Sequence, residues 1–556
     1  MIDTSLVSGG LSGIPFVMMG IYIVTVAYLS IKSIVAEKNR DVEVTFEEYY
    51  TASKTMPGFI VALLILVTFY SGSTFTGKVG FVVEYGLAGG MFYIAACVGA
   101  GIAFYFLGEK VWPLAKKYRI STLADLMELR YQSKKIKVII SAVLVSFNLI
   151  WLILEMLTLG FIFNLISGGA ISQTVGSFIG MILIVTYVTT GGIKSVASVD
   201  SFSALVMLFG SITAMIFLII RFYDANIFYM FNVLHETAPQ ALTVPSSGEV
   251  GWQVYISYIF LVLLTLMLYP SNYMSICLGK SLREVRKSAI ATCFSGLWNM
   301  VFILISLAGI GLVGVSGLGF EQFADSETAL LEMAQLTGSS VFFGLVTTFM
   351  FAATLGTVDS TIMGLSGVIS NDIITGFRRI RNDKKCIGSS KDRESIKERV
   401  TVNAKKEVRI TRICAVVLSF TAFALGTRRL PMMLVMVAYA GEGIMQLAPL
   451  VLGGLFWKKS TSQGAYASII VGLVSYFIFH NIGFKPFGGI MPGFPALALN
   501  SIVFIVVSKL TAEKYYSDYL KKYDHIFKDF FIKGKVMRDL NNDEISDTID
   551  EMSVEA

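Results

Sequence analysis

Long apolar runs alternate with short polar or charged stretches along the whole chain. Most of the runs reach the length a helix needs to cross a hydrocarbon core of about 30 Å. Backbone polar groups in lipid must bond within their own segment, so each run predicts a helix. The pattern places about thirteen of them, near 9–34, 58–83, 88–110, 138–165, 171–190, 201–221, 252–271, 288–315, 338–372, 408–426, 431–456, 464–482 and 493–510. The predicted fold is an all-α polytopic membrane protein.

Composition agrees with that pattern and narrows the function classes. Of 556 residues, 54% are hydrophobic and 15% charged, and the mean hydropathy is +0.69. Soluble domains carry roughly a quarter charged residues. The first apolar run has no basic segment before it and no small-residue cleavage pattern after it, so it reads as a span rather than a signal peptide. Five cysteines without a CxxC pair and three histidines argue against a disulfide framework or a multi-histidine metal centre.

Loop charge gives an expected orientation. Lys116, Lys117, Arg119, Arg130, Lys134, Lys135 and Lys137 crowd the loop before the fourth run, and a second basic stretch extends from Arg378 to Arg412. Residues 222–251 and 316–336 hold no lysine or arginine but carry Asp224, Glu236, Glu249, Glu321, Asp325 and Glu327. The basic loops are expected in the cytoplasm, with the N-terminus outside and the C-terminus inside. The net charge of +6 then reflects topology and needs no nucleic-acid partner. The bilayer is the expected partner, and no obligate protein partner is evident. Residues from about 511 read as a surface-lying segment with a disordered end.

Two runs are interrupted by polar, glycine-rich sequence. The first holds Thr68, Ser71, Gly72, Ser73, Thr74, Thr76, Gly77, Lys78 and Gly80, and the second Ala352, Ala353, Thr354, Gly356, Thr357, Asp359 and Ser360. Loosened helices of this kind are how transporters expose carbonyls and helix ends to ions and substrates. Close packing and back-bonding to the same helix are the better explanation of any single glycine or serine, so the reading rests on two dense clusters together with charges at depth. Lys78, Glu155 and Glu442 fall deep inside their runs, where a charge costs at least about 2.5–3.5 kcal/mol. Such residues face the protein interior or a water-filled path. A structural Lys–Glu pair and a role in handling substrate or protons both fit them.

At these residues, from about 47 to 465, the sequence resembles the sodium–solute symporter family, which includes sodium–proline and sodium–galactose carriers. Tyr49, Tyr50 and Lys54 with Pro57 look like the family's pre-helix motif. Ser71, Gly72, Gly77, Gly80, Tyr85 and Gly86 match its first core helix. Tyr187-x-x-Thr190-Gly191-Gly192-Ile193-Lys194-Ser195-Val196, closing at Asp200, is similar to a further signature. So are Ala352 to Asp372, and Pro449, Gly453, Trp457, Lys458, Lys459, Gly464 and Ala465.

The resemblance implies a leucine-transporter-like core of two inverted five-helix repeats working by alternating access. It divides the chain into residues 1–57 (the N-terminus, an extra helix and a loop), 58–221 and 222–456 (the repeats), 457–510 (two extra helices) and 511–556 (a tail). The family's sodium position, carried onto this chain, falls on Val67, Tyr70, Ala353, Gly356 and Thr357, with Asp200 nearby. The resemblance makes the pocket a neighbour of core helices one, three, six, eight and ten. Ser71, Ser73, Lys78, Glu155, Asn272 and Glu442 are its substrate or coupling candidates.

Five residues, at three places in the chain, depart from the family pattern. Gly356 replaces the usual serine and removes one hydroxyl ligand. Lys78 and Val79 replace an apolar residue and a proline. Pro270 is kept, but Met274 and Ser275 replace Gln-Arg. Carriers of the same general fold can use a lysine ammonium in place of sodium. Lys78 lies two turns past the break, ~10 Å along a helix, which is far for a direct substitute. It can also pair with an anionic substrate, or bridge Glu155 or Glu84.

The leading expectation is cation-coupled symport of a small organic solute in the plasma membrane, with sodium as the coupling ion and a proton as the alternative. A proton-coupled or uncoupled carrier with Lys78 in place of the ion is the second reading. A membrane sensor built on a transporter fold is the third, and residues beyond 510 show no signalling domain to support it. The spans hold no nucleophile–base or metal-ligand cluster, so an enzyme is not expected.

Overall fold

The computed structural model describes residues 13–38, 44–244, 251–316, 329–377, 394–426 and 433–531. Helix forms nearly all of it, and the one β-bridge among the described residues joins Met56 to Gly279. The helices run α1 (Ile14–Lys38), α2 (Phe46–Thr51), α3 (Gly58–Phe69), α4 (Gly72–Tyr85), α5 (Ala88–Lys117), α6 (Leu123–Tyr131), α7 (Lys134–Ile166), α8 (Gln173–Phe222) and α9 (Ile227–Thr237). Then come α10 (Trp252–Thr265), α11 (Pro270–Leu278), α12 (Leu282–Ser316), α13 (Ala329–Leu336), α14 (Ser340–Gly367), α15 (Glu394–Gly426), α16 (Met433–Met445), α17 (Ala448–Phe456), α18 (Ser462–Asn481) and α19 (Gly493–Phe531).

Among the described residues ten helices are long and apolar enough to cross a membrane, or eleven if α10 and α11, bent by 49°, form one broken span. The expected count of thirteen is not confirmed, and two segments account for the difference from eleven. One is the run near 58–83, which divides into α3 and α4. At 12 residues, α3 rises only ~18 Å, while α4 is the glycine- and hydroxyl-rich sequence that interrupts the apolar pattern. The other is α8, Gln173–Phe222, in which the expected 171–190 and 201–221 runs both form helix and join at a kink with no loop between them. It bends at Gly192, where φ 57° and ψ −159° belong to a region only glycine occupies readily. A Cβ there would also lie 2.7 Å from the Tyr49 ring.

Glu249, Glu321, Asp325, Glu327, the basic stretch 378–393 and the tail beyond 531 lie outside the described residues. The segment after 511 is helical up to Phe531, as the continuation of α19.

The molecule is layered around α14. Every residue of α14 from Val346 to Gly367 is buried, as expected of a helix apolar on all sides. Its threonines satisfy themselves locally: Thr347, Thr348 and Thr354 donate to carbonyls four residues back. Around α14 lie α1, α3, α4, α7, α8 and α15, while α5 pairs with α12 and α18 with α19. The outermost helices turn apolar side chains outward. On α1, Val17, Ile21 and Val24 are all more than half exposed, a surface suited to lipid rather than water.

One end of the bundle is closed by a polar knot. Lys137, almost fully buried, meets Asp125 at 2.5 Å, Glu128 at 3.3 Å and Asp372 at 3.4 Å. Asp372 sits in the π-helical turn after α14, Val368–Ile374, and accepts from Thr122 and Ser141. Asn371 donates to Asp125. Burial pushes the Asp125 carboxyl up, but the Lys137 ammonium and the Ser121 and Thr122 donors outweigh it and hold the group below its ordinary value.

Candidate functional site

The site begins where α3 stops. Tyr70 leaves helical geometry at φ −116° and ψ 68°, Ser71 is unwound and α4 restarts at Gly72. Gly72 is needed for contact with α14, because a Cβ there would stand 1.7 Å from Thr354 Oγ1. The Tyr70 side chain anchors the break from the other side. Its hydroxyl donates to the Ser295 carbonyl, and its ring stacks on Trp298 and Phe302.

Against this break α14 presents Thr357. Its hydroxyl lies 3.0 Å from the Val67 carbonyl and 3.1 Å from the Ala353 carbonyl. One hydroxyl proton serves one acceptor at a time, so three oxygens converge on a single point. Gly356 stands at the same spot. A Cβ on it would fall 2.1 Å from Val67 Cγ1 and 2.9 Å from Asp200 Oδ1. The missing serine therefore has a steric reason, and a carboxylate oxygen approaches the space its side chain would need. Asp200 Oδ2 accepts from Ser360 Oγ at 2.8 Å. Its Oδ1 is buried without a hydrogen-bond partner, which is a poor state for a carboxylate oxygen unless a cation or proton joins it.

Asp359 was quoted in the α14 motif but not singled out as a site residue from the sequence. It is fully buried, lies against Asp200, and accepts from the Tyr187 hydroxyl and the Ser360 amide. Among the described residues neither aspartate is in an ion pair. The sequence signal for it was the single acidic residue in the otherwise apolar and hydroxyl-bearing α14 sequence, about one helical turn from Gly356.

A cavity opens beside the break, lined by α3, α4, α5, α7, α10, α11, α14 and α16. It measures about 100 Å³, several times the roughly 10–15 Å³ that admits one water, so it suits a small solute. Lys78 and Asn272 line it; Glu155 and Glu442 do not. The Glu442 carboxylate accepts from the Gly493 amide and ties α16 to the start of α19. Glu155 is fully buried in α7, and Ser71 is buried at the break. The Ser73 side chain lies outside the described residues.

Lys78 does not bridge Glu155 or Glu84. Its ammonium donates to Asn299 Oδ1 at 3.0 Å and lies over the rings of Tyr70 and Tyr93, 4.5 and 4.1 Å from their centroids. Among the described residues its ammonium makes no hydrogen bond to the Val67, Ala353 or Thr357 oxygens, and its partners are Asn299 and the two rings.

The sodium:solute symporter family model matches residues 49–392. The chain belongs to the sodium:solute symporter family. Membership assigns it sodium-coupled symport of a small solute and an integral place in the membrane, within a family of transporters. Among curated relatives, the sodium/pantothenate symporter of Escherichia coli (strain K12) is 24% identical over 494 residues, covering 86% of this chain and 94% of the relative. The uncharacterized symporter YodF of Bacillus subtilis (strain 168) is 24% identical over 479 residues, covering 85% and 90%. A solved sodium-coupled sialic acid symporter, substrate-bound and outward-open, is similar in fold. Its TM-score is 0.72 at 15% identity, covering 90% of this chain and 98% of that one. Mhp1, a nucleobase-cation-symport-1 family transporter in a closed conformation, gives 0.53 at 13% identity, covering 87% and 98%. The leucine-transporter fold of this family member agrees with the broken α3–α4 and α10–α11 helices described above.

Proposed function

We propose that this symporter binds its coupling sodium where α3 breaks against α14, and its solute in the adjoining cavity. The convergence of the Val67 and Ala353 carbonyls on the Thr357 hydroxyl, beside the orphaned Asp200 Oδ1, carries this reading. Sodium takes several hard oxygen ligands, and this corner supplies two carbonyls, a hydroxyl and a carboxylate oxygen. Tyr70, at the unwound turn, contributes backbone to the same corner. Asp200 stands where the family's serine hydroxyl is missing, and its charge favours a cation over water.

Coupling follows from the shared wall. Thr68 and Phe69 line the cavity, and Val67 on the same turn carries a sodium oxygen. Sodium that draws α3 against α14 therefore shapes the solute site, and each ligand raises the affinity of the other. The protein sits in the plasma membrane with its basic loops and C-terminus in the cytoplasm.

The test is thermal unfolding of purified protein in sodium against choline chloride, with Thr357→Ala alongside. A ligand that binds only the folded state raises apparent stability by mass action. Sodium is expected to raise the wild-type Tm and to raise it much less in Thr357→Ala. An equal response to choline, or a full sodium response in the variant, would sink the assignment.

A further inference from the structure

We propose that the central cavity binds an organic anion, a monocarboxylate with an apolar body and a hydrogen-bond donor, and that Lys78 holds its carboxylate. The inference rests on the symport reading above and names the class of solute carried.

The first observation is charge. Among the described residues that line the cavity, Lys78 is the one with a formal charge, and none is a carboxylate. The side chain is 5% exposed and, among the described residues, is in no ion pair. Its neighbours are an amide oxygen and two ring faces. Those contacts steady an ammonium without neutralising it. A cation buried in this way lacks its counter-charge. The nearby carboxylates are engaged elsewhere. Glu442 binds the Gly493 amide, Asp200 and Asp359 form the cation corner, Glu84 is exposed, and Glu155 is not part of the lining. The anion therefore has to come from outside the protein.

The second observation is Asn272. Its Nδ2 donates to the Leu266 carbonyl at 2.6 Å, which fixes the orientation of the amide. Oδ1 is left as a buried acceptor without a partner, on a residue that lines the cavity. An unmet acceptor is costly, and a hydroxyl or amide N–H on the solute satisfies it. Trp151, Tyr258, Leu261 and Val437 provide apolar wall, which suits a body without further charge. A neutral solute would leave Lys78 unbalanced, and a cationic one would place like charges in one cavity.

The experiment uses the purified full chain in sodium chloride and follows thermal unfolding. The probes are acetate, hexanoate, lactate, 3-hydroxybutyrate and phenylacetate, each compared with its neutral primary amide. At least one carboxylate is expected to raise the wild-type Tm while its amide does not, with the hydroxy acids ahead of the simple acids. Lys78→Gln is expected to weaken the apparent affinity for that carboxylate by about thirtyfold or more, as for losing one partner of a buried charge pair. Lys78→Arg should retain part of it. The carboxylate–amide comparison uses wild-type protein only, so it stands even if a variant fails to fold. A flat response to every carboxylate, an equal response to the amides, or full carboxylate binding by folded Lys78→Gln overturns the proposal. The sodium-against-choline shift, measured on the same samples, separates the two readings. If it persists while the carboxylates fail, only the solute class falls; if it is absent, the sodium site falls with it.

Discussion

Gly356 has no room for a side chain, and that makes the cation corner testable atom by atom. Gly356→Ser places a Cβ against Val67 Cγ1, and overpacking of this kind costs about 1–3 kcal/mol. A lowered Tm is expected, with part of the loss recovered when Val67→Ala is added. No recovery would mean that the strain lies elsewhere. Asp200→Asn probes the charge itself. The bond to Ser360 can survive, so stability in choline should hold. Half-maximal sodium, read from the sodium-induced Tm shift, should rise about tenfold or more, or about 1.4 kcal/mol. The residues proposed for this corner were named beforehand by the family resemblance, carried onto the α3 and α14 motifs, and the structure brings Val67, Ala353, Gly356 and Thr357 together. The resemblance also implied Asp200 nearby. The pairing of Asp200 with Asp359 was not legible, because it depends on α8 and α14 meeting face to face, which local pattern does not encode. Lys78 is similar: its depth was visible in the apolar run, but its partner Asn299 lies on α12, far along the chain.

Elements were read more easily than their joints. The apolar runs located the spans, and glycine with hydroxyl residues marked the break between α3 and α4. The 171–190 and 201–221 runs each form a helix, but only the backbone angles of Gly192 show that the two meet at a kink with no loop between them. The knot joining α6, α7 and the π-helical turn after α14 was missed. Lys137 had been read as one of a basic cluster setting topology, yet it is buried against three carboxylates. Lys137→Met should therefore destabilise the protein by about 3–5 kcal/mol, the cost of leaving buried charges unpaired. A loss under 1 kcal/mol in thermal unfolding would return it to a topological role. The knot also predicts acid sensitivity. The Asp125 carboxyl lies below its ordinary value in the folded protein. Its contribution is complete above the unfolded value of about 3.9 and is lost as pH falls through the lower folded value. Asp125→Asn should flatten the acid limb of a stability-against-pH profile, and an unchanged limb would assign that limb to other groups.

Over the whole molecule, α19 joins parts of the chain that are far apart in sequence. After lining up with α18 it extends to Phe531, and its last turns return to α5 and α6. Asp529 meets Lys117 at 2.6 Å and also accepts from Tyr118, while Lys110 donates to the Phe530 carbonyl at 3.1 Å. Buried Arg130 lies between the rings of Phe527 and Phe531, 5.5 and 5.3 Å from their centroids, and donates to the Gly454 carbonyl and to Ser460. The docked end thus ties α5, whose partner is α12, to α6 and α17. Two kinds of force are available to hold it, and they differ in size. Lys117 is 46% exposed and Asp529 12%, so this ion pair should contribute less than about 1 kcal/mol. Phe530 is 1% exposed, and removing a buried phenyl ring costs about 3–5 kcal/mol. Phe530→Ala should therefore lower the Tm clearly and Asp529→Ala barely. Both should keep the sodium-induced shift, because neither side chain is among the residues that form the cation corner. Equal losses in the two variants would show that charge rather than packing holds the helix end in place. A lost sodium shift in either would show that this brace sets the geometry of the α3 break as well.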